Sequence, residues 1–240
     1  MEQITSLQNS KVKEWAKLLT KKQRDKTGLF LVEDEHLLEE AHMAGLLKVM
    51  LVLDNQKYDD VQTYQVTPQI LEKLSETVSK ARCIGICQKP VYTKDVRHCI
   101  LLEDVQDPGN VGTIIRTAYS FGFDACILTS GCADVYSSKV IRSTQGAFFH
   151  MPVIHMKASE AISMLKQKGV TVIGTCLQDS KPLQDATCEG SVCLVMGNEG
   201  AGMKEETRSL CDMLVRIEMS NFESLNVAVA AGIAAYTFRR

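Results

Sequence analysis

The first segment that could take part in chemistry is DVQDPGNVGTIIRTAYSFG (104–122). Asn110 lies at the start of a predicted helix over 111–121, where it could cap the helix, and two nearby glycines would let a ligand approach the backbone closely. Arg116 follows six residues later, nearly two turns further along the predicted helix. This pattern predicts a polar ligand site or, more simply, an asparagine cap beside a surface arginine.

The second segment is GNEGAGM (197–203), which follows an apolar run. Its glycine order, G-x-x-G-x-G, differs from the dinucleotide-binding order G-x-G-x-x-G, and no GK[ST] phosphate signature is present. Glu199, a carboxylate between glycines, is a good hydrogen-bond acceptor for a ligand or an arginine. Glu218 lies 21 residues beyond Gly197, as the ribose-binding carboxylate of a nucleotide-dependent oxidoreductase would, so that class stays open.

The third segment is IEMSNFESLNVAVAAGIAAY (217–236). Ser224 and Asn226 flank Leu225 at the start of a predicted helix that is rich in small residues. The free N–H groups of that helix terminus could hold a ligand. Alternatively, Ser224 is an N-cap and the alanine and glycine residues permit close helix packing.

Strands and helices alternate over residues 98–240, which we predict to form one domain. The predicted strands are HCILLEDV, FDACILT, AFFHMPVI, VTVIGT, SVCLVM and MLVRI. Such alternation is typical of a mostly parallel sheet with helices on both faces. Each of the three polar segments follows a predicted strand, and open α/β sheets bind ligands at that edge.

Residues 1–92 are predicted to form a separate, small α/β domain. It begins with an amphipathic helix in which Val12, Trp15 and Leu18 recur at helical spacing with lysines between them. Residues 1–26 hold seven Lys and Arg against three acids, whereas residues 27–60 hold two lysines against eight acids. The basic helix could contact phosphates, although a solvated helix face would have the same composition.

Length and composition indicate an ordinary globular protein of two domains. The chain has 240 residues, of which 45% are hydrophobic and 23% charged. No apolar run reaches the ~18 residues of a membrane helix, and the N-terminus lacks a signal peptide's apolar stretch, so we expect a cytoplasmic protein. The nine cysteines include no C-x-x-C pair and the five histidines form no ligand pattern, so we expect free thiols and no metal.

Together and in this order, the three segments resemble the motifs of the SpoU-type (TrmH-like) RNA 2′-O-methyltransferases of the SPOUT class. Motif one is NVGTIIRTAYSFG, motif two LVMGNEGAGM and motif three IEMSNFESLNVAVAAGIAAY. The stretch from ITSLQNSKVKEW to LFLVEDEHLLEEA resembles the ribosomal-protein-like substrate-binding domain that often precedes this catalytic domain. Two positions depart from the family pattern: Glu218 replaces a proline, and Asp34 replaces a glycine.

The resemblance implies methyl transfer from S-adenosyl-L-methionine to a ribose 2′-hydroxyl of structured RNA, rRNA more than tRNA. It also implies an α/β SPOUT domain with a parallel sheet and a deep trefoil knot, a small α/β RNA-binding domain before it, and a homodimer. The implied cofactor-binding residues are Thr175, Gly197, Ile217, Met219 and Leu225. The implied catalytic residues are Arg116, which would orient the ribose oxygen and its phosphate, with Asn110, Glu199, Ser224 and Asn226.

A second class of function is an RNA-binding module that has kept this fold without catalysis. The presence of all five polar motif residues argues against it, because an inactive copy could lose some of them. Binding of S-adenosyl-L-homocysteine would distinguish the methyltransferase from the oxidoreductase, since only the former should bind it tightly.

Overall fold

The structure is a computed structural model that describes residues 1–76, 81–93, 95–221 and 224–239. Its elements begin with β1 (Glu2–Ile4), α1 (Ser10–Lys17), α2 (Lys21–Thr27), β2 (Leu29–Glu33), α3 (Glu35–Met43), β3 (Leu47–Val52), β4 (Gln62–Val66), α4 (Pro68–Leu74) and β5 (Cys83–Gln88). They continue with β6 (Cys99–Leu102), α5 (Pro108–Ser120), β7 (Ala125–Leu128), α6 (Ser138–Ser143), β8 (Val153–His155), α7 (Ala158–Gln167), β9 (Thr171–Thr175), β10 (Lys181–Pro182), β11 (Val192–Met196), α8 (Glu205–Leu210), β12 (Met213–Arg216) and α9 (Val227–Thr237).

The chain divides into two units. The first comprises Met1–Tyr92 and Tyr136–Phe149, and the second comprises Thr93–Val135 and His150–Arg240. The division into domains 1–92 and 98–240 therefore stays a proposal, because the segment with α6 groups with the first unit. Lys94, in the linker expected between the domains, lies outside the described residues.

The second unit is built on a parallel sheet of seven strands in the order β10-β12-β9-β11-β6-β7-β8. Strands β6, β7 and β11 are buried along their whole length, as expected for a parallel sheet covered on both faces. The predicted α/β architecture is confirmed. Because β12, β9, β11 and β6 are successive neighbours, the loops that follow them leave the same edge of the sheet.

The first unit contains a mixed sheet of five strands in the order β1-β4-β3-β5-β2. Strands β1, β3 and β4 are parallel, whereas β5 is antiparallel to both β3 and β2. Val12 and Trp15 of α1 pack into a core with Leu71 of α4 and Ile84 of β5. This is the small α/β domain that the sequence predicts, and its amphipathic helix is α1, which β1 precedes.

The strand predicted over AFFHMPVI (147–154) is wrong except for its last two residues. Ala147–Phe149 form a single turn of 3-10 helix, and the strand begins only at Val153. Phe148 packs against Phe30, with ring centroids 5.8 Å apart, and against Tyr136 at 5.6 Å. An apolar run that enters one aromatic cluster does not need the alternation of a strand, and the proline at 152 cannot donate to a ladder.

Asp34, which stands where the family pattern has glycine, adopts a backbone conformation that favours glycine. Its φ is +92°, a region that costs a non-glycine residue about 1–3 kcal/mol. Its carboxylate accepts a hydrogen bond from the backbone N–H of His36 at 3.0 Å and so caps α3. The cap offsets part of the backbone strain, which explains how an aspartate is accommodated there.

Neither a membrane span nor a metal site is found in the described part of the chain. No helix there is long and apolar enough to cross a membrane, and no group of three or more His, Cys, Asp and Glu could hold a metal ion. All nine cysteines are free thiols, buried or half-buried. Burial raises the pKa of Cys83 to about 12, so this thiol stays protonated and unreactive.

Candidate active site

A cavity of about 450 Å³ opens at the carboxyl ends of β9, β11 and β12. Its walls are the segments that follow these strands and the start of α9. All five residues predicted to bind the cofactor line it, namely Thr175, Gly197, Ile217, Met219 and Leu225. The volume lies in the range of cavities that hold a nucleoside-sized ligand.

The glycine-rich loop 197–203 is held in shape by Asn198. Its side-chain oxygen accepts hydrogen bonds from the N–H groups of Gly200 and Ala201, both at 3.0 Å. Its amide nitrogen donates to the carbonyl of Asp104 at 2.8 Å, which ties the loop to the segment after β6. Sequence reasoning did not select Asn198, although an asparagine that begins a glycine-rich turn is a recognisable turn signal.

Gly197 fits its position because it has no side chain. A Cβ atom there would lie 2.3 Å from the carbonyl carbon of Gly202 and 2.3 Å from the nitrogen of Met203. Both are backbone atoms, so no side-chain rotation could relieve the overlap. The strand β11 therefore passes directly into a tight loop that presents backbone groups to the cavity.

Glu199 ties the glycine-rich loop to motif one. Its carboxylate accepts hydrogen bonds from the backbone N–H groups of Gln106 at 3.2 Å and Asp107 at 3.0 Å. It also accepts one from the side-chain amide of Asn110 at 3.1 Å. Partial burial raises the pKa of Glu199, but these hydrogen bonds, led by that from Asn110, outweigh it and the pKa is lowered overall. Glu199 is therefore a carboxylate at neutral pH.

Two asparagines continue this hydrogen-bonded chain from motif one to motif three. The side-chain nitrogen of Asn226 donates to the side-chain oxygen of Asn110 at 2.9 Å. The side-chain oxygen of Asn226 accepts from the N–H groups of Ala228 and Val229. Glu199, Asn110 and Asn226 thus form one chain of hydrogen bonds, the amide chain, which fixes the orientation of both side-chain amides.

The alternative interpretation of Asn110 and Ser224 as helix caps is wrong in both motifs. Asp107, not Asn110, caps α5, and Asn226, not Ser224, caps α9. Since Pro108 can occupy the first position of α5, the helix begins before Asn110, and the Asn110 side chain is left available for Glu199. The cap on α9 lies two residues after Ser224, which is exposed and lines the cavity beside Leu225.

Arg116 is exposed and lies outside the amide chain. Within the described residues, its guanidinium takes part in no hydrogen bond or ion pair. Its backbone carbonyl accepts a hydrogen bond from the Ser120 hydroxyl at 2.9 Å. It lies on α5, which packs closely against α9. The structure therefore joins Asn110, Glu199 and Asn226, places Ser224 at the cavity and leaves Arg116 open to a substrate. Phe222 and Glu223 of motif three lie outside the described residues.

Asp104 and Glu103, which sequence reasoning did not select, connect the segment after β6 with the residues that follow the glycine-rich loop. The Asp104 carboxylate accepts from the hydroxyl of Thr129 at 2.6 Å and pairs with Lys204 at 2.6 Å. The hydrogen bond from Lys204 is the main reason that the pKa of Asp104 is lowered. The buried Glu103 accepts from the Lys204 backbone N–H and the Thr207 hydroxyl. The end of β6 is thus attached to the start of α8.

Glu218 gives no support to a nucleotide-dependent oxidoreductase. Its side chain is exposed, accepts a hydrogen bond from Gln184 at 3.2 Å and pairs with Arg216 at 3.4 Å. It is absent from the residues that line the cavity.

The fold and the cavity by themselves define a class of protein. A parallel sheet whose loops surround a nucleoside-sized cavity, with an orienting amide chain at its edge, is suited to group transfer from a bound cofactor. The cradle fits the predicted cofactor, because Gly197 gives close access to the backbone and the side chains of Leu183, Met196 and Met203 supply apolar surface. This is the arrangement expected of a methyltransferase.

The chain belongs to the SpoU rRNA Methylase family, whose model matches residues 97–236. A second model, the MRM3-like substrate binding domain, matches residues 9–85. The family predicted from the three motifs is thereby confirmed, and with it the activity class, an RNA ribose 2′-O-methyltransferase that uses S-adenosyl-L-methionine.

Relatives of known identity resemble the chain over its whole length. The 23S rRNA (guanosine(2553)-2′-O)-methyltransferase RlmP of Bacillus subtilis is 40% identical over 247 residues, which cover 100% of both chains. A crystal structure of an rRNA methyltransferase from Sinorhizobium meliloti superposes with a TM-score of 0.89 at 28% identity, covering 98% of this chain and 96% of that one. The AdoMet-bound form of an rRNA methyltransferase from Sinorhizobium meliloti gives a TM-score of 0.87 at 27% identity, with coverage of 98% and 96%.

Proposed function

We propose that the protein methylates the 2′-hydroxyl of a guanosine ribose in 23S rRNA, with S-adenosyl-L-methionine bound in the cavity at the ends of β9, β11 and β12. The observation that carries the proposal is that this cavity is lined by all five predicted cofactor residues and also by Glu199, a member of the amide chain. The nucleotide class follows the RlmP relative, which matches over the full length. An rRNA substrate also supports the expectation of a cytoplasmic protein.

The reaction requires in-line attack of a ribose oxygen on a sulfonium methyl group, which the bound cofactor would supply; the methyl–sulfur bond breaks as the new carbon–oxygen bond forms, and the 2′-hydroxyl proton is released. A guanidinium is effectively always protonated, so Arg116 acts by orienting the 2′-oxygen and its neighbouring phosphate. Glu199 is deprotonated, but its oxygens already accept four N–H groups. It therefore serves to position Asn110. Asn226 completes the same support, and Ser224 faces the cavity from which the methyl group is donated.

Primer-extension mapping of ribose methylation tests this function. 23S rRNA from a strain that lacks the gene would be incubated with the purified protein and tritium-labelled S-adenosyl-L-methionine. We expect label in 23S rRNA and one new pause at a guanosine. Label only in tRNA would contradict the substrate class, and no label in any RNA, despite cofactor binding, would favour the RNA-binding module instead.

We further propose that the first unit supplies RNA affinity. Lys13, Lys17, Lys21 and Lys22 are exposed on α1 and α2, and no ion pair is found for them among the described residues. Each phosphate contact lowers the slope of log affinity against log salt by about 0.7–0.9. Exposed, unpaired lysines in a substrate-binding domain are suited to this task.

Replacement of these four lysines by glutamine is expected to weaken rRNA binding and flatten its salt dependence, with cofactor affinity unchanged. Filter retention at several salt concentrations measures both quantities. Lys57→Gln is the control, because Lys57 is equally a lysine of the first unit but pairs with Asp59 at 3.4 Å. An unchanged salt slope in the fourfold variant would assign these lysines to an ordinary solvated surface.

A homodimer, implied by the family resemblance, is also proposed. Val229, Ile233 and Tyr236 are exposed by 52%, 38% and 56% and recur along one face of α9. On α5, which packs against α9, Tyr119 is 47% exposed. Such an apolar stripe is costly to leave in water. The deep trefoil knot implied by the same resemblance stays a prediction.

Sedimentation at micromolar concentration is expected to show twice the 26.6 kDa chain mass. Ile233→Glu should convert the protein to the monomer, because a charge in an apolar interface is strongly unfavourable. Glu160→Lys, a charge change on the exposed side of α7, is the control and should leave the mass unchanged. A 26.6 kDa species in the unmodified protein would contradict the dimer.

A further inference from the structure

The loop 176–180, between β9 and β10, forms one wall of the cavity. Cys176, Leu177 and Gln178 line it. The loop is anchored at its start, where the Cys176 N–H donates to the carbonyl of Val215 at 2.9 Å. Beyond that point it turns outward: Leu177 is 53% exposed and Asp179 has a φ of +52°. An outward-turning loop needs further support if it is to keep one shape.

Two arginines from two different elements reach this loop. Arg216 of β12 donates a hydrogen bond to the carbonyl of Ser180. Arg208 of α8 places its guanidinium 3.7 Å from the Asp179 carboxylate and donates to Glu205 at 3.1 Å. The two arginine side chains are only 34% and 20% exposed, and both also line the cavity. They therefore hold the loop from the side on which the cofactor is proposed to lie.

We infer that Arg208 and Arg216 are positioning residues that hold loop 176–180 as a preformed wall of the cofactor site. The inference rests on the proposed function only in taking S-adenosyl-L-methionine as the occupant of the cavity. A loop that is ordered before binding does not have to be ordered by the ligand, and this raises affinity. The arginine clamp, meaning Arg208 and Arg216 together, thus sets cofactor affinity without contact with the reacting atoms.

Charge-preserving and charge-removing variants separate this role from a general effect on folding. Arg216→Gln removes the charge-assisted hydrogen bond to Ser180, and Asp179→Asn removes the partner of Arg208 from the loop side. Asp179 is 89% exposed, so its replacement carries little risk to the fold. Lys157→Gln is the matched control: Lys157 is 81% exposed, belongs to the same unit and pairs with Glu160 far from this loop in sequence.

Calorimetric titration with S-adenosyl-L-homocysteine measures the effect on affinity. We expect binding to weaken by about tenfold in Arg216→Gln, as for loss of a hydrogen bond to a charged group, and by about threefold in Asp179→Asn, as for an exposed ion pair. Arg216→Lys should recover part of the loss, and Lys157→Gln should match the unmodified protein. In methyl transfer the KM for S-adenosyl-L-methionine should rise in the same proportion, with kcat at saturating cofactor changed by less than about twofold.

Hydrogen exchange in the absence of cofactor provides a readout that does not depend on the ligand. The amides of loop 176–180 should exchange faster in Arg216→Gln and Asp179→Asn than in the unmodified protein or in Lys157→Gln. Unchanged exchange together with unchanged affinity would overturn the clamp. If faster exchange accompanied a failure of even the unmodified protein to bind S-adenosyl-L-homocysteine, the clamp would stand as a loop support and the proposed cofactor site would fall.

Discussion

Arg116→Ala is expected to reduce methyl transfer by about 100-fold or more, the effect of losing a positioned catalytic group. The affinity for S-adenosyl-L-homocysteine should stay near that of the unmodified protein, because Arg116 does not line the cavity. The guanidinium is exposed and takes part in no hydrogen bond or ion pair among the described residues, so stability should change little. Single-turnover transfer of tritiated methyl to rRNA gives the rate, and calorimetric titration gives the cofactor affinity.

Arg97→Ala is the matched control for this substitution. Arg97 is also a surface arginine of the second unit, with 55% of its side chain exposed and an ion pair to Asp95. Its replacement should leave both rate and affinity unchanged. Near-normal turnover in Arg116→Ala would remove Arg116 from the mechanism, and an equal loss of cofactor binding would show that it acts on the cofactor and not on the ribose.

The sequence predicts most of the second unit because its strands are continuous apolar runs. CILL in β6, ACIL in β7 and VCLVM in β11 are buried at every position, and such runs between turn residues have few alternative structures. The glycine-rich loop and the small residues of α9 were located from their composition. β10 was missed because it has only two residues, Lys181 and Pro182, and no pattern can be recognised at that length.

The amide chain is less predictable, because its geometry depends on which residue begins each helix. Asn110 and Asn226 were both selected, but a helix cap at Asn110 was an equally open interpretation of the sequence. Moving the cap of α5 to Asp107 leaves Asn110 inside the helix, where its amide reaches Glu199. A three-residue shift in a helix start lies within the uncertainty of sequence reasoning, yet it decides whether the side chain caps the helix or takes part in the site.

The grouping of Tyr136–Phe149 with the first unit could not be predicted from local pattern. The segment lies in the middle of the second predicted domain, but Tyr136 packs against Phe30 with ring centroids 5.1 Å apart, and the Ser138 hydroxyl donates to the buried Glu33 at 3.3 Å. Both contacts join residues about one hundred positions apart. Such pairings depend on tertiary structure, which neither helix nor strand periodicity records.

Gly197→Ala is expected to reduce cofactor affinity by about 10- to 100-fold, the range for forcing one methyl group into a filled site. The added Cβ would lie 2.3 Å from two backbone atoms of Gly202 and Met203, so the loop 197–203 would have to move away. That movement would displace the backbone groups facing the cavity. It would also shift Glu199, which accepts a hydrogen bond from the Asn110 side chain. Cofactor binding and methyl transfer should therefore both fall.

Gly200→Ala provides the control within the same loop. A Cβ at Gly200 would meet only the side-chain oxygen of Asn198, at 3.8 Å, which is an ordinary contact distance, so this variant should bind S-adenosyl-L-homocysteine nearly as well as the unmodified protein. Thermal unfolding with and without that ligand shows whether Gly197→Ala is folded. A folded Gly197→Ala protein that kept normal affinity would show that the loop yields freely, and the backbone of loop 197–203 could then no longer be held responsible for cofactor recognition.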